Sequence, residues 1–245
     1  MKPAFSAARV ALAAVFVGTL ALPATAVAQQ ERIGTPYDWI DRSLRAGLYG
    51  GYVSTGRGES EIAPGSSAVF GARLRARISS PLSFELNVGL GSSERAVIDP
   101  RLENGPAAID TVDVNWLLVE GGFQIALTGA RTVHGIQPYV TLGGGILRGI
   151  GEEPSELLSS PGDEAFRYRV GTAASFAGGV GFEWIPAERI GIGFELRDHL
   201  WRIKAPDGFF RADVLDRIEE LGLPAPRETE WTHNLELSAS LYYYF

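Results

Sequence analysis

The residues whose types could support catalysis are three histidines and the acid and hydroxyl groups in phase with them. The chain contains His134, His199 and His233. His233 and Asp198 share the phase of the apolar residues in two predicted strands, and Ser54 has that phase in a third. A general base that is oriented by a carboxylate and lies beside a hydroxyl is what acyl transfer requires. Polar residues at strand ends also commonly face water or headgroups, so we predict no catalytic residue and keep this set as an alternative.

A second group of candidate residues carries charge at every other position. Arg73, Arg75 and Arg77 alternate with apolar residues from Phe70 to Ile78. In a closed barrel these arginines would point inward, where an unpaired charge costs several kcal/mol. We therefore predict a hydrogen-bonded network of five basic and five acidic residues, namely Arg45, Arg73, Arg75, Arg77, Arg197, Glu85, Glu120, Glu183, Glu195 and Glu236.

The expected role of this network is structural. An eight-stranded barrel is only wide enough for its own side chains or for one small ligand. Glycine occupies many of the inward positions, among them Gly143 and Gly145, and could leave voids between the charges. A narrow channel or carrier for an ion or small solute is therefore the alternative.

Acidic residues cluster in two predicted loops. One loop carries Glu152, Glu153, Glu156, Asp163 and Glu164, and the last loop carries seven more acidic residues over 205–230. Clustered carboxylates could bind divalent cations that bridge to lipid phosphates, but their spacing is not that of an EF-hand. We interpret them as solvated loop residues and predict no metal and no cofactor.

The elements that must position these residues are stretches of alternating polarity. A period of two identifies strands with one apolar face, and each stretch is close to the roughly 9 to 11 residues that a tilted membrane-spanning strand needs. A short amphipathic helix is expected over 211–221. The predicted fold is all-β, an eight-stranded antiparallel up-and-down transmembrane β-barrel with strands near 44–54, 68–78, 82–91, 114–127, 136–148, 170–184, 190–201 and 232–245.

The beginning of the chain has the features of a secretory signal peptide. Lys2 and Arg9 precede or flank a mostly apolar run, and a small-x-small cleavage site ends at Ala28. We predict a signal peptide over 1–28, a short periplasmic segment over 29–43 and a barrel domain over 44–245. Without Lys2 and Arg9 the chain has 20 basic and 29 acidic residues and a formal charge of −9. This charge argues against a nucleic-acid partner.

Three stretches resemble a known family. Thr232 to Phe245 resembles the terminal strand of bacterial outer-membrane β-barrels, which ends on Phe after an apolar or aromatic residue at every second position. Gln137 to Gly145 and Gly178 to Trp184 are similar to central strands of the eight-stranded family with OmpA-type and OmpX-type domains. The resemblance implies a monomer in the bacterial outer membrane, in contact with its lipid and lipopolysaccharide. It also implies that the barrel assembly machinery recognises the strand ending at Phe245.

Loop lengths and aromatic residues predict an orientation for such a barrel. The connections after the second, fourth and sixth strands are short and the others are long, which is typical of periplasmic turns and external loops. Aromatic residues are expected to form a belt at each membrane interface. The predicted periplasmic belt contains Tyr139, Trp184, Tyr243 and Phe245, and the outer belt contains Trp116, Trp201 and Trp231.

The predicted function is a structural or surface-contact role through the long loops, without enzymatic activity. Some barrels of this size modify lipid A, so a lipid-modifying enzyme is a further alternative, although the H-x-S signature of the deacylases is absent from the sequence. A soluble barrel of lipocalin type would place the apolar residues inside and the arginines outside.

Overall fold

The structure is a computed structural model that describes residues 37–59, 61–103, 105–150 and 163–245. The predicted signal peptide and residues 29–36 of the predicted periplasmic segment lie outside the described residues. The same holds for Glu152, Glu153 and Glu156 of the predicted acidic loop.

The described part of the chain is built mainly from strands. They are β1 (Tyr37–Trp39), β2 (Leu44–Thr55), β3 (Ser67–Arg77), β4 (Leu82–Asp99), β5 (Ala107–Ala126), β6 (Arg131–Val133), β7 (Ile136–Ile150), β8 (Thr172–Ala187), β9 (Ile190–Lys204) and β10 (Thr229–Tyr244). Helix α1 covers Ala212–Glu220, inside the range predicted for it, and 3₁₀ turns cover Asp163–Phe166 and Asp207–Phe210. None of the described helices has the length and apolar character needed to cross a membrane.

All strands except β1 and β6 form one closed antiparallel barrel. Neighbours around it are β2, β3, β4, β5, β7, β8, β9 and β10. The ring closes where β10 pairs with β2, from Asn234 opposite Thr55 to Tyr244 opposite Arg45. The predicted eight-stranded up-and-down barrel is therefore confirmed.

Apolar side chains cover the outside of the barrel and charged ones fill its inside. Leu48 is 72% exposed and Leu142 is 73% exposed, whereas Arg75 and Glu183 are fully buried. The alternation that defines the strands produces this division, because successive side chains point to opposite faces. A soluble barrel requires the reverse distribution, so the lipocalin-type alternative is wrong.

Strands β4 and β5 continue beyond their predicted limits. β4 runs to Asp99 rather than residue 91, and β5 begins at Ala107 rather than residue 114. Just beyond the apolar belt the outward pair of this extension is polar, with Glu94 opposite Asp113. The alternation thus ends where the hairpin leaves the apolar belt, which is the band of exposed apolar residues around the barrel. The period-two pattern therefore marked the edge of this belt and not the ends of β4 and β5.

Apolar residues close the end of the barrel that carries the long connections, which we call the loop end. Val214 and Ile218 of α1 are buried there together with residues from the other loops. The ring centroid of Phe166 lies 4.4 Å from the guanidinium carbon of Arg101 and 5.6 Å from that of Arg211. We call this cluster the cap, and its main members are Ile62, Val97, Phe166, Phe209, Val214 and Ile218.

The opposite end, which we call the turn end, carries a small additional pair of strands. β1 pairs with β6, which lies in the connection between β5 and β7. The backbone amide of Ile40 donates to the carbonyl of Ala130 at 3.0 Å. The segment that precedes β2 is thereby attached across the turn end.

Candidate functional site: the charged lumen

Two arginines of β3 form the centre of an ion network inside the barrel. Arg75 Nε lies 2.5 Å from Glu85 Oε2, and Arg75 Nη2 lies 3.1 Å from Glu195 Oε2. Arg73 contacts the same Glu195 oxygen at 2.8 Å and Glu236 Oε1 at 2.9 Å. Both arginine side chains are 0% exposed, so each depends on carboxylates for charge compensation.

Arg197 of β9 extends the network towards the loop end. Its guanidinium group lies 2.5 Å from Glu85 Oε1 and 2.6 Å from Glu195 Oε1. Its Nη1 atom lies 3.5 Å from Glu120 Oε2. Glu85 and Glu195 are therefore each shared by Arg75 and Arg197, which makes these contacts a network instead of separate pairs.

A like-charged pair lies nearer the turn end. The strand register places Arg45 directly opposite Arg75, an arrangement that is unfavourable without a counter-charge. Glu183 Oε2 supplies it, at 3.3 Å from Arg45 Nε and 3.7 Å from Arg75 Nη1. Tyr244 donates its hydroxyl to Glu183 Oε1 at 2.5 Å.

His199 completes the network on the side nearer the loop end. Its Nδ1 lies 2.9 Å from Glu120 Oε1 and its Nε2 lies 3.2 Å from Glu236 Oε2. Both ring nitrogens face carboxylate oxygens, so the ring can serve both acids as a donor only when both nitrogens carry hydrogen. The sequence alone assigned His199 no partner, because its two acids come from β5 and β10 and are distant in sequence.

Nine of the ten residues predicted for the lumen lie in this network, and Arg77 does not. Arg77 is half-buried at the end of β3, where its guanidinium group donates to the carbonyl of Ile40 at 2.6 Å and to that of Arg42. The inward phase was predicted correctly. The expectation that Arg77 pairs with a lumen carboxylate was wrong. At the turn end, backbone carbonyls of the segment before β2 accept its hydrogen bonds instead.

Tyrosine rings separate and support the arginines. Arg73 lies 4.1 Å from the ring centroid of Tyr49, and Arg75 lies 4.8 Å from that of Tyr139 and 4.9 Å from that of Tyr242. Tyr139 also donates its hydroxyl to Glu195 at 3.1 Å. Its prediction as a membrane-interface residue is therefore wrong, since Tyr139 occupies an inward position of β7 and is 1% exposed.

Two tryptophans predicted for the outer belt are also inside the barrel. Trp116 and Trp201 are 0% exposed, and their ring centroids lie 5.7 Å apart beneath the cap. Both tryptophans occupy inward positions of their strands, so their prediction as interface residues was wrong. That prediction gave more weight to the interfacial preference of tryptophan than to the strand phase. Trp184, Trp231, Tyr243 and Phe245 are exposed on the outer surface, with Tyr243 packed against Phe245 and Trp231 against Phe176.

The structure brings together two of the three residues of the possible catalytic set. His233 Nδ1 lies 2.7 Å from Asp198 Oδ2 on the outer surface, and the backbone amide of Asn234 donates to Asp198 Oδ1. Ser54 lies opposite Leu235 in the neighbouring strand. His134 is remote from this pair, in the turn between β6 and β7.

Three of the described acidic loop residues, Asp163, Asp213 and Glu220, form ion pairs with arginines. Arg101 bridges Asp99 at 2.9 Å and Asp163 at 2.7 Å beyond the apolar belt. Burial raises the pKa of Asp99, but hydrogen bonds from Arg101 outweigh it and the pKa lies below its ordinary value. Within the described ranges, no group of three or more His, Cys, Asp or Glu residues is arranged to hold a metal ion.

A closed eight-stranded barrel with an apolar outer face and a polar lumen defines the architecture of outer-membrane β-barrel proteins. The solved structures similar to this chain have that fold. Pseudomonas aeruginosa outer membrane protein OprG is 13% identical, with a TM-score of 0.52 over 83% of this chain and 97% of OprG. Neisserial surface protein A is 12% identical, with a TM-score of 0.48 over 86% and 98%. The chain matches no protein-family model and no curated protein.

Proposed function

We propose that this chain is an integral barrel of a bacterial outer membrane that acts structurally or through its external loops and does not conduct solutes. The observation that supports this proposal is the filled lumen. Its nine networked arginine and glutamate side chains, contributed by seven of the eight barrel strands, have exposures of 5% or less. Opening a path would separate buried charges, which costs several kcal/mol for each ion left unpaired.

A second barrier lies above the charges. Trp116 and Trp201 occupy the lumen between the network and the cap. An ion that entered from the loop end would first have to displace apolar side chains, and then arginine–carboxylate contacts. Two barriers of different chemistry favour a closed barrel over a narrow channel or carrier.

The same proposal includes an orientation and partners. The turn end faces the periplasm and the loop end faces the exterior, in contact with outer-membrane lipid and lipopolysaccharide. The barrel is a monomer, its signal peptide is removed after Ala28, and the assembly machinery recognises the strand that ends at Phe245. Support comes from the alternation of short and long connections and from the apolar outer face.

Single-channel recording tests the closed state. The refolded protein is added to planar lipid bilayers, with an outer-membrane porin as the control for insertion and detection. We expect no reproducible unitary conductance from this chain under conditions in which the porin produces steps. Discrete conductance steps that disappear when the protein is omitted would support the channel instead.

The pair of His233 and Asp198 favours a second candidate, a lipid-modifying enzyme, because a carboxylate orients the imidazole at 2.7 Å on the lipid-facing side. Mass spectrometry of lipid A from cells that produce the wild type or His233→Ala separates the two functions. The proposed function predicts identical acylation patterns. A pattern that changes with the wild type and reverts with His233→Ala would establish the enzyme.

A further inference from the structure

A cleft on the outer surface of the barrel lies between the loop end of β9 and the segment that leads into β8. Its volume is about 480 Å³, and its lining includes Arg167, Arg169, Arg202 and Lys204. The acidic residues in the lining are Glu164 and Asp207. The cleft thus has an excess of positive charge, although the whole chain has a formal charge of −7.

The strand phase directs the two β9 cations outward. Trp201 and Ile203 are buried at 0% and 1%, and Arg202 and Lys204, which alternate with them, are exposed. Within the described part of the chain neither Arg202 nor Arg169 makes an ion pair. Lys204 contacts Asp207 at 3.2 Å, but both side chains are more than half exposed, so this surface pair constrains the lysine weakly.

The height of the cleft coincides with the upper edge of the apolar belt. Arg202 lies directly opposite Trp231 in the sheet. Trp231 is 48% exposed and packs against Phe176 at 5.6 Å on the outer surface. Exposed tryptophan on such a surface marks the membrane interface, so the cations lie at the level of lipid headgroups, directly above the acyl chains.

The charge is distributed unevenly around the rim. Above the apolar belt on β4 and β5, the outward residues Glu94 and Asp113 lie directly opposite each other. Arg148, by contrast, is an exposed residue of β7 opposite Thr172, which lines the cleft. An anionic headgroup would therefore be attracted to the wall formed by β7, β8 and β9 and repelled from the hairpin of β4 and β5.

We propose that this cleft binds a phosphate monoester on the headgroup of an outer-leaflet glycolipid. Arginine suits this ligand because its planar fork matches phosphate oxygens with two parallel hydrogen bonds. A lipid is the source of the phosphate, because Trp231 and Phe176 adjoin the apolar surface on which its acyl chains would lie. The assignment rests on the proposed outer-membrane location and adds a specific lipid site to it.

Native mass spectrometry of the refolded protein in detergent micelles tests the site. The probes are bisphosphorylated lipid A and the same lipid after enzymatic removal of both phosphates. We expect the first bound molecule of the phosphorylated form to bind about tenfold more tightly, since each interfacial cation attracts anionic lipid. The double variant R202Q/K204Q is expected to bind the two forms equally.

A matched control carries the same loss of charge at the same end of the barrel. R57Q/R227Q removes two exposed loop arginines that do not line the cleft, of which Arg227 pairs with Glu59, and it should keep the preference for phosphorylated lipid. The proposed site would be overturned if the wild type bound both lipids equally. It would also be overturned if the two double variants lost the preference for phosphorylated lipid to the same extent. A third contrary result would be that inositol hexakisphosphate displaces the lipid and binds with the same affinity as phosphorylated lipid A, because the ligand would then be a soluble polyanion.

The test separates this site from the proposed function. Each variant must still show the boiling-dependent gel mobility of a folded barrel before its binding is compared. A conducting wild type would contradict the proposed function and leave the lipid preference unaffected. Loss of the lipid preference would leave the closed barrel unaffected.

Discussion

At the scale of single residues, His199 is the group on which charge compensation in the lumen depends. Four networked arginines, Arg45, Arg73, Arg75 and Arg197, face five glutamates. An imidazolium between Glu120 and Glu236 makes the two signs equal. His199 is therefore a structural cation, although sequence reasoning first considered histidines as possible catalytic bases.

Replacing His199 with phenylalanine should destabilise the barrel. A similar volume is kept, but Glu120 and Glu236 lose the donor that they share, and breaking a buried ion pair costs about 3–5 kcal/mol. Urea unfolding of the refolded protein in lipid vesicles measures the loss of unfolding free energy.

His233→Phe is the matched control, since His233 is 77% exposed in its side chain and its change should cost less than about 1 kcal/mol. Equal unfolding free energies of the two variants would show that His199 does not carry the assigned charge.

The residue scale also shows what the sequence could reveal about the site. Strand phase identified nine members of the network because inward positions alternate with apolar ones. Phase alone could not identify partners: Arg73 and Glu236 are far apart in sequence and meet only because the barrel closes. The same phase placed Trp116 and Trp201 inside, and it was a better guide than the interfacial preference of tryptophan.

At the scale of elements, glycines on β5 and β7 allow these two strands to approach closely beside the charges. Gly145 lies opposite Glu120, and a methyl group on it would lie 2.7 Å from Glu120 Cα and closer still to the Val119 carbonyl oxygen. Backbone atoms cannot move aside as a flexible side chain can. The inward glycines that suggested a pore therefore provide space for strand packing at this position.

Gly145→Ala should be destabilising, by roughly 1–3 kcal/mol, because it overpacks a rigid contact. Gly178→Ala is the matched variant. Its added carbon would have the Thr141 carbonyl oxygen at 4.0 Å as its nearest neighbour, so we expect a change within about 0.5 kcal/mol. The urea concentrations at the midpoint of unfolding in lipid vesicles compare the two variants. Equal midpoints would mean that β5 and β7 can separate without cost.

Element boundaries were predictable where the apolar belt begins and ends, and less so beyond it. Alternation identified all eight barrel strands from sequence, and apolar residues at helical spacing identified α1. It missed β1 and β6, which have three residues each and pair only with one another and with the start of β7. It also ended β4 and β5 early, because their outer pairs are held by backbone hydrogen bonds and by the cap instead of an apolar outer face.

At the scale of the whole molecule, closure of the sheet removes every free edge among the barrel strands. The hydrogen-bonded ring should therefore survive detergent at ambient temperature and open only on heating. We expect the expressed protein in the outer-membrane fraction, with a gel mobility that changes on boiling. Recovery in the soluble fraction without a mobility shift would contradict a membrane barrel with an apolar exterior.

Phe166 contacts both Arg101 and Arg211 and so links three connections that are far apart in the chain. An antibody or bacteriophage that attaches at the loop end would therefore encounter a discontinuous epitope, composed of segments that are adjacent only in the folded state. Synthetic peptides copied from one connection would reproduce a single fragment of it. Antisera raised against the native barrel should accordingly lose most of their reactivity when the protein is boiled.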